Sequence, residues 1–435
     1  MANSYLSRSG STPTNSKKFT YSFWVKRSTL SADQAFLSYE TDSNNRGGIE
    51  LQSGDKFRYF ERVSGSNTIV VEPSRVFRDP AAWYHIVVAT DTTQSTASDR
   101  VKIYVNGVQE TDFSTATYPS LNSDTRANGS TVKNIGRRNV NDDYYFDGYL
   151  SHAVFVDGSA LAPTVFGETD STSGIWKFKT PTGVTFGNNG FHLKFENSGA
   201  LGTDSSGNSN TFTVNGNLKQ ALDTPSNVHA TINPLDNYYA ASTFSNGNNT
   251  IISGTTPNTW NTATLGVSSG KWYWETELDA ESSGGSALFG IADRPTDSAT
   301  RELGDLATTY AYLSSGNFRT NNSNTSNGVS ATVGDIIGIA LDLDNNQISY
   351  YKNGTIIGSA QSITAPSSTV NGVYFPAWGD WLDPGTVTFK CNFGNGFFGT
   401  TAITSAGSNG NGSLFEYDVP SGFYALNTKN INTYG

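Results

Sequence analysis

Apolar and polar residues alternate with a period of two along most of this chain, the spacing of strands rather than of helices. The clearest run is Phe19-Thr20-Tyr21-Ser22-Phe23-Trp24-Val25, which puts Phe19, Tyr21, Phe23 and Val25 on one face and Trp24 on the other. The same rhythm predicts strands at 48–51, 56–60, 68–71, 84–90, 101–105, 149–156, 190–195 and 211–214. It resumes at 238–244, 249–252, 271–278, 287–292, 336–343, 347–352, 372–376 and 386–393. Only 161–167, with Pro163 near its start, reads as a helical turn. The polar stretches 321–330 and 404–413 read as surface loops.

One local pattern occurs twice. Trp83-Tyr84-His85-Ile86-Val87-Val88-Ala89-Thr90-Asp91 leads to Val101-Lys102-Ile103-Tyr104-Val105-Asn106-Gly107. Gly334-Asp335-Ile336-Ile337-Gly338-Ile339-Ala340-Leu341-Asp342 leads to Ile348-Ser349-Tyr350-Tyr351-Lys352-Asn353-Gly354. Asn-Gly predicts a tight hairpin, because a type I′ turn needs positive φ at both central residues. Its recurrence after similar strands predicts two antiparallel β domains of related build. Pro225, Pro234 and small polar residues interrupt the rhythm between 223 and 235, so the domains are expected at 1–232 and 233–435, the latter ending in a short C-terminal tail.

Composition narrows the class. Helix formers are sparse, and 44 glycines with 12% aromatic residues suit short strands joined by turns, so the chain is expected to be all-β. A net charge of −10 disfavours a nucleic-acid partner, which needs a basic face for phosphates. Cys391 is the single cysteine, so no intrachain disulfide is possible, and four scattered histidines make a poor zinc set. His85 and His152 read as core or surface residues of strands. The start, Met1-Ala2-Asn3-Ser4-Tyr5-Leu6-Ser7-Arg8, shows no apolar signal region, and no stretch has the apolar length of a membrane span. The expectation is a protein made in a host cytoplasm without membrane insertion.

Phe23-Trp24-Val25-Lys26, the first copy of the repeated pattern, Ile135-Gly136, Tyr145-Phe146-Asp147-Gly148-Tyr149-Leu150, Leu161-Ala162-Pro163 and Asp204-Ser205-Ser206-Gly207-Asn208 follow one another in order. Over about two hundred residues this first half resembles the laminin-G/pentraxin-like branch of concanavalin A-like lectin domains. Gly270-Lys271-Trp272-Tyr273-Trp274-Glu275, Phe289-Gly290-Ile291-Ala292, the second copy, Phe375-Pro376-Ala377 and Asn392-Phe393-Gly394 give the second half a likeness to SPRY domains. These resemblances imply two tandem concanavalin A-like antiparallel β-sandwiches of jelly-roll type. From Met1-Ala2-Asn3-Ser4-Tyr5-Leu6 to Asn427-Thr428-Lys429-Asn430, the chain is similar to virion-associated proteins of tailed phages, notably those of marine hosts such as cyanobacteria.

Four constellations could carry chemistry. In Glu275-Thr276-Glu277-Leu278-Asp279-Ala280-Glu281, alternation sends the acids to one face, opposite Trp272, Trp274, Thr276 and Leu278. Glu277, Asp279 and Glu281 resemble the acid ladder of sandwich-fold glucanases, where paired carboxylates flank a glycosidic bond. Equally, the segment is a SPRY strand running out into the turn at 282–285, and that reading is preferred. Asp342-Leu343-Asp344-Asn345-Asn346 is rich in hard oxygen ligands but reads as hairpin turn chemistry.

At 139–147, Asp142, Asp143 and Asp147 beside Tyr144 and Tyr145 form a rim where calcium (Ca2+) is the candidate metal; otherwise no cofactor is expected. Trp378, Asp380 and Trp381, with Asp383, place aromatic faces beside acids in a segment bounded by Gly and Pro, which suits sugar binding or plugging of a sandwich end. The patterns Gly-x-Ser-x-Gly at 266–270 and Gly-x-Gly-x-x-Gly at 394–399 lack a following helix and are expected to be coincidental.

The function expected from all this is non-enzymatic. It is that of a structural or adhesive component of a tailed-phage virion, such as a tail fibre, tail accessory or surface decoration protein. Its partners would be other virion proteins and host-surface glycan, with the oligomeric state set by the particle. The alternatives are a virion-associated glycan-degrading enzyme using Glu277, Asp279 and Glu281, and a ligand-free capsid decoration protein.

Overall fold

A computed structural model describes residues 3–254, 259–282, 284, 286–381 and 385–435. Contacts divide the chain into two units, Met1–Gln220 and Ala221–Gly435. The division lies earlier than the expected 232, because residues 221–232 are already tied into the second unit. Ala230 N donates to the carbonyl of Leu426 at 3.0 Å, and Ile232 N to that of Asn248 at 2.9 Å.

The first unit is a sandwich of two antiparallel sheets. One has eight strands in the order Phe113–Thr117, Ser66–Pro73, Phe57–Val63, Asn45–Leu51, Gln34–Asp42, Val132–Ile135, Tyr5–Ser9, Thr213–Asn215. The other has six, ordered Phe191–Leu193, Gly148–Asp157, Lys18–Arg27, Trp83–Asp91, Val101–Val105, Val108–Gln109. Phe19, Tyr21, Phe23 and Val25 point from the second sheet into a core shared with Leu37, Tyr39, Ile49 and Tyr59 of the first. Trp24, on the opposite face, is buried as well. Val87, Val154 and Val156 on that outer face are capped by Phe166 next to the 3-10 turn Pro163–Val165, with Leu161, Val165, Val184 and Phe186 packed alongside. Burial on both faces explains why these strands carry apolar runs and not a strict alternation. Expressed alone, residues 1–220 are expected to give a soluble β-rich domain with one cooperative melting transition. An aggregated product would mean that the strand set is incomplete without the rest of the chain.

The second unit repeats the plan. Its larger sheet runs Thr243–Ser245, Thr250–Ile252, Val387–Asn392, Lys271–Glu281, Ile336–Asp342, Gln347–Lys352, Thr355–Ser362, with Tyr424–Ala425 added in parallel to Lys271–Glu281. Facing it are Thr259–Thr262, Phe375–Asp380, Ala287–Ala292, Thr309–Leu313, Asn317–Thr320 and Ser323–Ser326. The last of these lies in the stretch expected to be loop; Asn321 and Asn322, with φ of 49° and 54°, turn the chain so that it pairs back. Trp272, Trp274, Phe289, Trp378 and Phe389 fill the core. Tyr273, on the other face, is covered by Phe415, Val419 and Ala425, so the expected tail is a packed segment. It ends in the helix Thr428–Tyr434, whose N-cap Asn427 side chain accepts from Asn430 N at 2.9 Å. No helix among the described residues is long and apolar enough to cross a membrane.

The twice-occurring pattern forms the same device in both units. Asn106 and Gly107 have φ of 48° and 80°, and Asn353 and Gly354 have 48° and 78°, as a type I′ turn requires. Each Asn also reaches the preceding strand. Asn106 Oδ1 accepts from His85 N at 2.8 Å, and Asn353 Oδ1 from Ile336 N at 2.8 Å. The side chain therefore continues the ladder where the backbone turns away.

Candidate functional site

The acids of the strand Lys271–Glu281 do not share one face. Leu278 pairs with Phe389 and Ala280 with Thr388, so Asp279 is the extra residue of a β-bulge. A bulge reverses which side the following residues occupy. Glu281 accordingly turns toward the other sheet, where its Oε1 accepts from Ser286 N and Ala287 N at 2.8 Å each and from Ser314 Oγ at 2.7 Å. Glu277 and Asp279 remain on the outer face and share one cation, with Lys390 Nζ paired to Asp279 and 3.9 Å from Glu277 Oε2. The expected ladder of Glu277, Asp279 and Glu281 is thus broken into a lysine-bridged pair and a carboxylate that pins two sheets together.

Glu275, on the same strand, is fully buried. Its carboxylate accepts from Glu416 N at 2.8 Å, Tyr417 N at 2.9 Å and the Tyr273 hydroxyl at 3.1 Å, fastening the C-terminal segment over the sheet. Burial pushes its pKa up to about 7 against these hydrogen bonds. Glutamate is common on exposed strand faces, and only the burial of Tyr273 beside it marks this one as different.

The segment around Trp378 is a strand, not a loop. Trp378 and Asp380 belong to Phe375–Asp380 and both are buried. The Trp378 indole donates to Thr276 Oγ1 at 3.0 Å and meets Phe393 edge-on at 5.9 Å between centroids. Asp380 Oδ2 accepts from Ser253 Oγ at 3.0 Å. Trp381 alone stays partly accessible, with the Arg319 guanidinium 5.0 Å over its ring. Asp383 lies outside the described residues. Trp378 and Asp380 therefore serve the interior, because the strand Thr259–Thr262 pairs alongside and a covering cluster of Trp260, Leu288 and Leu303 closes the outer face.

The acids of the segment 139–147 are each engaged by partners of their own. Arg138 stacks 3.6 Å over the Tyr144 ring while its guanidinium donates to Asp143 through two bonds of 2.8 and 2.7 Å. Arg137 stacks 3.6 Å over Tyr5 and pairs with Asp142. The Tyr145 hydroxyl donates to Asp142 at 2.6 Å, and that bond with the Arg137 pair holds the Asp142 carboxyl below its usual range. Asp147 accepts from Thr29 Oγ1 at 2.6 Å. Asp142, Asp143 and Asp147 thus have three separate sets of partners. Among the described residues no group of three or more His, Cys, Asp or Glu side chains could hold a metal ion. Asp342 likewise is engaged in its turn, by Asn345 N at 3.0 Å and Lys271 at 2.8 Å.

His85 is a structural residue in an aromatic stack. Its ring lies 4.7 Å from that of Trp24 and 6.0 Å from that of Trp176. The Trp176 indole donates to Nδ1 at 2.9 Å, so Nδ1 is the acceptor and Nε2 carries the proton toward Ser22 Oγ at 2.8 Å. Burial lowers its pKa to about 3, which keeps it neutral. His152 stacks on Phe178 at 3.5 Å. The two glycine patterns open no helix: 266–270 runs into the strand Lys271–Glu281, and 394–399 contains the strand Phe397–Phe398.

Comparison with known proteins agrees with this geometry. Residues 2–165 match the model of the concanavalin A-like lectin/glucanases superfamily, and residues 271–394 that of the SPRY domain. No curated protein matches the chain. Among solved structures, it is similar to the SPRY domain of human HERC1 at 19% identity, covering 37% of this chain and 96% of that one, with a TM-score of 0.30. It is similar to stonustoxin at 19% identity, covering 38% of this chain and 27% of that one, with a TM-score of 0.29. The TRIM65 PSpry domain matches at 15% identity, covering 37% of this chain and 91% of that one, with a TM-score of 0.29. The N-terminal unit thus contains a stretch similar to concanavalin A-like lectin/glucanase domains, and the C-terminal unit one similar to SPRY domains.

Proposed function

We propose that this protein is a non-enzymatic adhesive component of a tailed-phage virion, placed on its outer surface or tail, and that its N-terminal rim touches host-surface glycan. The observation that carries this reading is the construction of the rim. Tyr5 and Tyr144 each carry a guanidinium on one face, from Arg137 and Arg138, and Tyr145 donates to Asp142, so the aromatic rings and hydrogen-bonding groups of the rim are fixed in place before any ligand arrives. Groups already fixed in place lose little conformational freedom on binding. Both domains are of binding type, and the likeness of the whole chain to phage virion proteins supplies the setting. Against hydrolysis stands the acid strand, where Glu277 and Asp279 share Lys390 and Glu281 faces the opposite sheet.

Replacing Tyr144 and Tyr145 together by Ala is expected to weaken adsorption to host cells by about tenfold or more, or ~1.4 kcal/mol, with the N-terminal melting transition retained. Adsorption equal to wild type by a folded double variant would remove the rim as receptor site and favour a docking or decoration role.

A further inference from the structure

The eight-stranded sheet of the first unit carries two arginines where strand pairing alone would not place them. Asn45–Leu51 and Phe57–Val63 pair so that Arg46 stands directly opposite Arg62. Ile49 and Tyr59 of these strands fill the core, so alternation puts Arg46, Phe60 and Arg62 on the outer face of the sheet. Like charges at directly opposed positions of a ladder repel and lower stability. Both side chains are half-buried, which sharpens the conflict by thinning the water between them.

The acids nearby do not answer the pair. Glu40 is the register partner of Arg46 on its other side, but Glu40 Oε2 accepts from Val140 N at 2.6 Å, and the Arg46 guanidinium lies 6.0 Å over the Phe60 ring. Glu50 is taken by Arg58. Asp42 holds its own turn, accepting from Asn44 N and Asn45 N at 2.8 Å each. Arg62 Nε donates to the Gly65 carbonyl at 2.9 Å, and neither Arg62 nor Arg46 has an ion pair among the described residues. Arg126 brings a third guanidinium to the same end of the sheet, where it donates to Thr41 Oγ1 at 3.2 Å and to the Asn45 carbonyl at 3.1 Å. In a chain of net charge −10, this end of the sheet is short of carboxylates.

We propose that this open face binds an acidic polysaccharide, with a carboxylate or sulfate of the glycan held by Arg46 and Arg62. A planar guanidinium meets an oxyanion through two parallel N–H donors, and an anion shared by both arginines turns their repulsion into attraction. Ser66, Asn67 and Thr68 lie exposed on the next strand, with Asn67 opposite Arg62, and supply hydroxyls and an amide for the sugar rings. An acidic peptide gains less here, because both arginine-bearing strands are paired on both sides and offer its backbone no free edge. The proposal rests on the adhesive reading for the source of the glycan and adds its charge class, but it uses none of the rim tyrosines.

The test measures binding of the full chain to immobilised polygalacturonate, dextran sulfate, neutral dextran and poly-glutamate at one ionic strength. Binding to polygalacturonate, which identifies a carboxylate ligand, or to dextran sulfate, which identifies a sulfate, is expected, with neither neutral dextran nor poly-glutamate retained. Arg46→Gln with Arg62→Gln should weaken that binding by about tenfold or more. Arg62→Gln alone, which keeps Arg46 over Phe60, should also weaken it while leaving the N-terminal melting midpoint unchanged or raised, since it removes one of two opposed charges. Tyr144→Ala with Tyr145→Ala should leave it intact. No binding to either acidic polysaccharide, binding that both glutamine variants leave unchanged, or equal retention of dextran or poly-glutamate overturns the proposal. If both acidic polysaccharides fail while host cells are still bound through the rim, this face is excluded and the adhesive reading survives. Arginine-dependent binding of polysaccharide by a chain that does not adsorb to host cells would uphold the face and remove the adhesive reading.

Discussion

Trp378→Ala is expected to lower the melting midpoint of the C-terminal domain by about 10 °C or more while leaving the N-terminal transition in place. Truncating a buried tryptophan removes its transfer free energy and leaves a cavity, a combination that costs about 3–5 kcal/mol. Trp378 is 1% exposed, wedged against Phe393, and its indole satisfies the buried Thr276 hydroxyl, so the site has little room to collapse. A domain stable by about 5–15 kcal/mol would lose a large share of its margin. The measurement is a thermal scan of wild type and variant that resolves both transitions. A folded variant with an unshifted second transition would contradict the burial of Trp378 in the core.

The second large effect is a pH dependence centred on Glu275. Its carboxyl titrates at about 7 in the folded chain against 4.5 for a free glutamate, because burial opposes its charge. The folded state therefore holds this proton more tightly than the unfolded state does. Stability from this group is fully present below about pH 4.5 and is lost as pH rises through 7, on the order of 3 kcal/mol in all. Glu302, raised to about 7 by burial beside Arg319, contributes a slope of the same sign. The effect of Glu275 is isolated by comparison with Glu275→Gln, which cannot ionise. Wild type should exceed the variant in denaturant stability near pH 5, since glutamine leaves one of the two backbone donors of Glu416 and Tyr417 without an acceptor. That advantage should shrink or reverse by pH 8. Parallel stability curves for the two proteins across this range would show that Glu275 keeps one protonation state throughout.

The strand pattern was legible because alternation and turn chemistry are local. Phe19 to Val25 and the two Asn-Gly turns needed only their own neighbours to be read. What the sequence concealed was set by distant partners. Trp24 and Tyr273 lie on faces that alternation marks as outward; Trp24 is buried with its ring stacked on His85 of the neighbouring strand, and Tyr273 because Phe415 and Val419, far along the chain, fold over it. Trp378 sits in a stretch rich in Gly, Pro and Asp that reads as loop, yet its strand is held between Thr259–Thr262 and Ala287–Ala292. The bulge at Asp279 separates Glu281 from Glu277, and no residue type there announces it. At the rim, Tyr144 and Tyr145 stand out in the sequence as aromatics beside Asp142, Asp143 and Asp147. The stacking of Arg137 on Tyr5 and of Arg138 on Tyr144 has no local signal, since it depends on how the chain folds back on itself.

Adhesion without hydrolysis is tested most directly by incubating the full chain with purified surface polysaccharide of the host and measuring bound protein and released reducing ends in the same sample. The protein is expected to sediment with the polysaccharide and to release no reducing ends. Failure to sediment, or reducing ends that appear with wild type and vanish with Glu277→Gln, would contradict it.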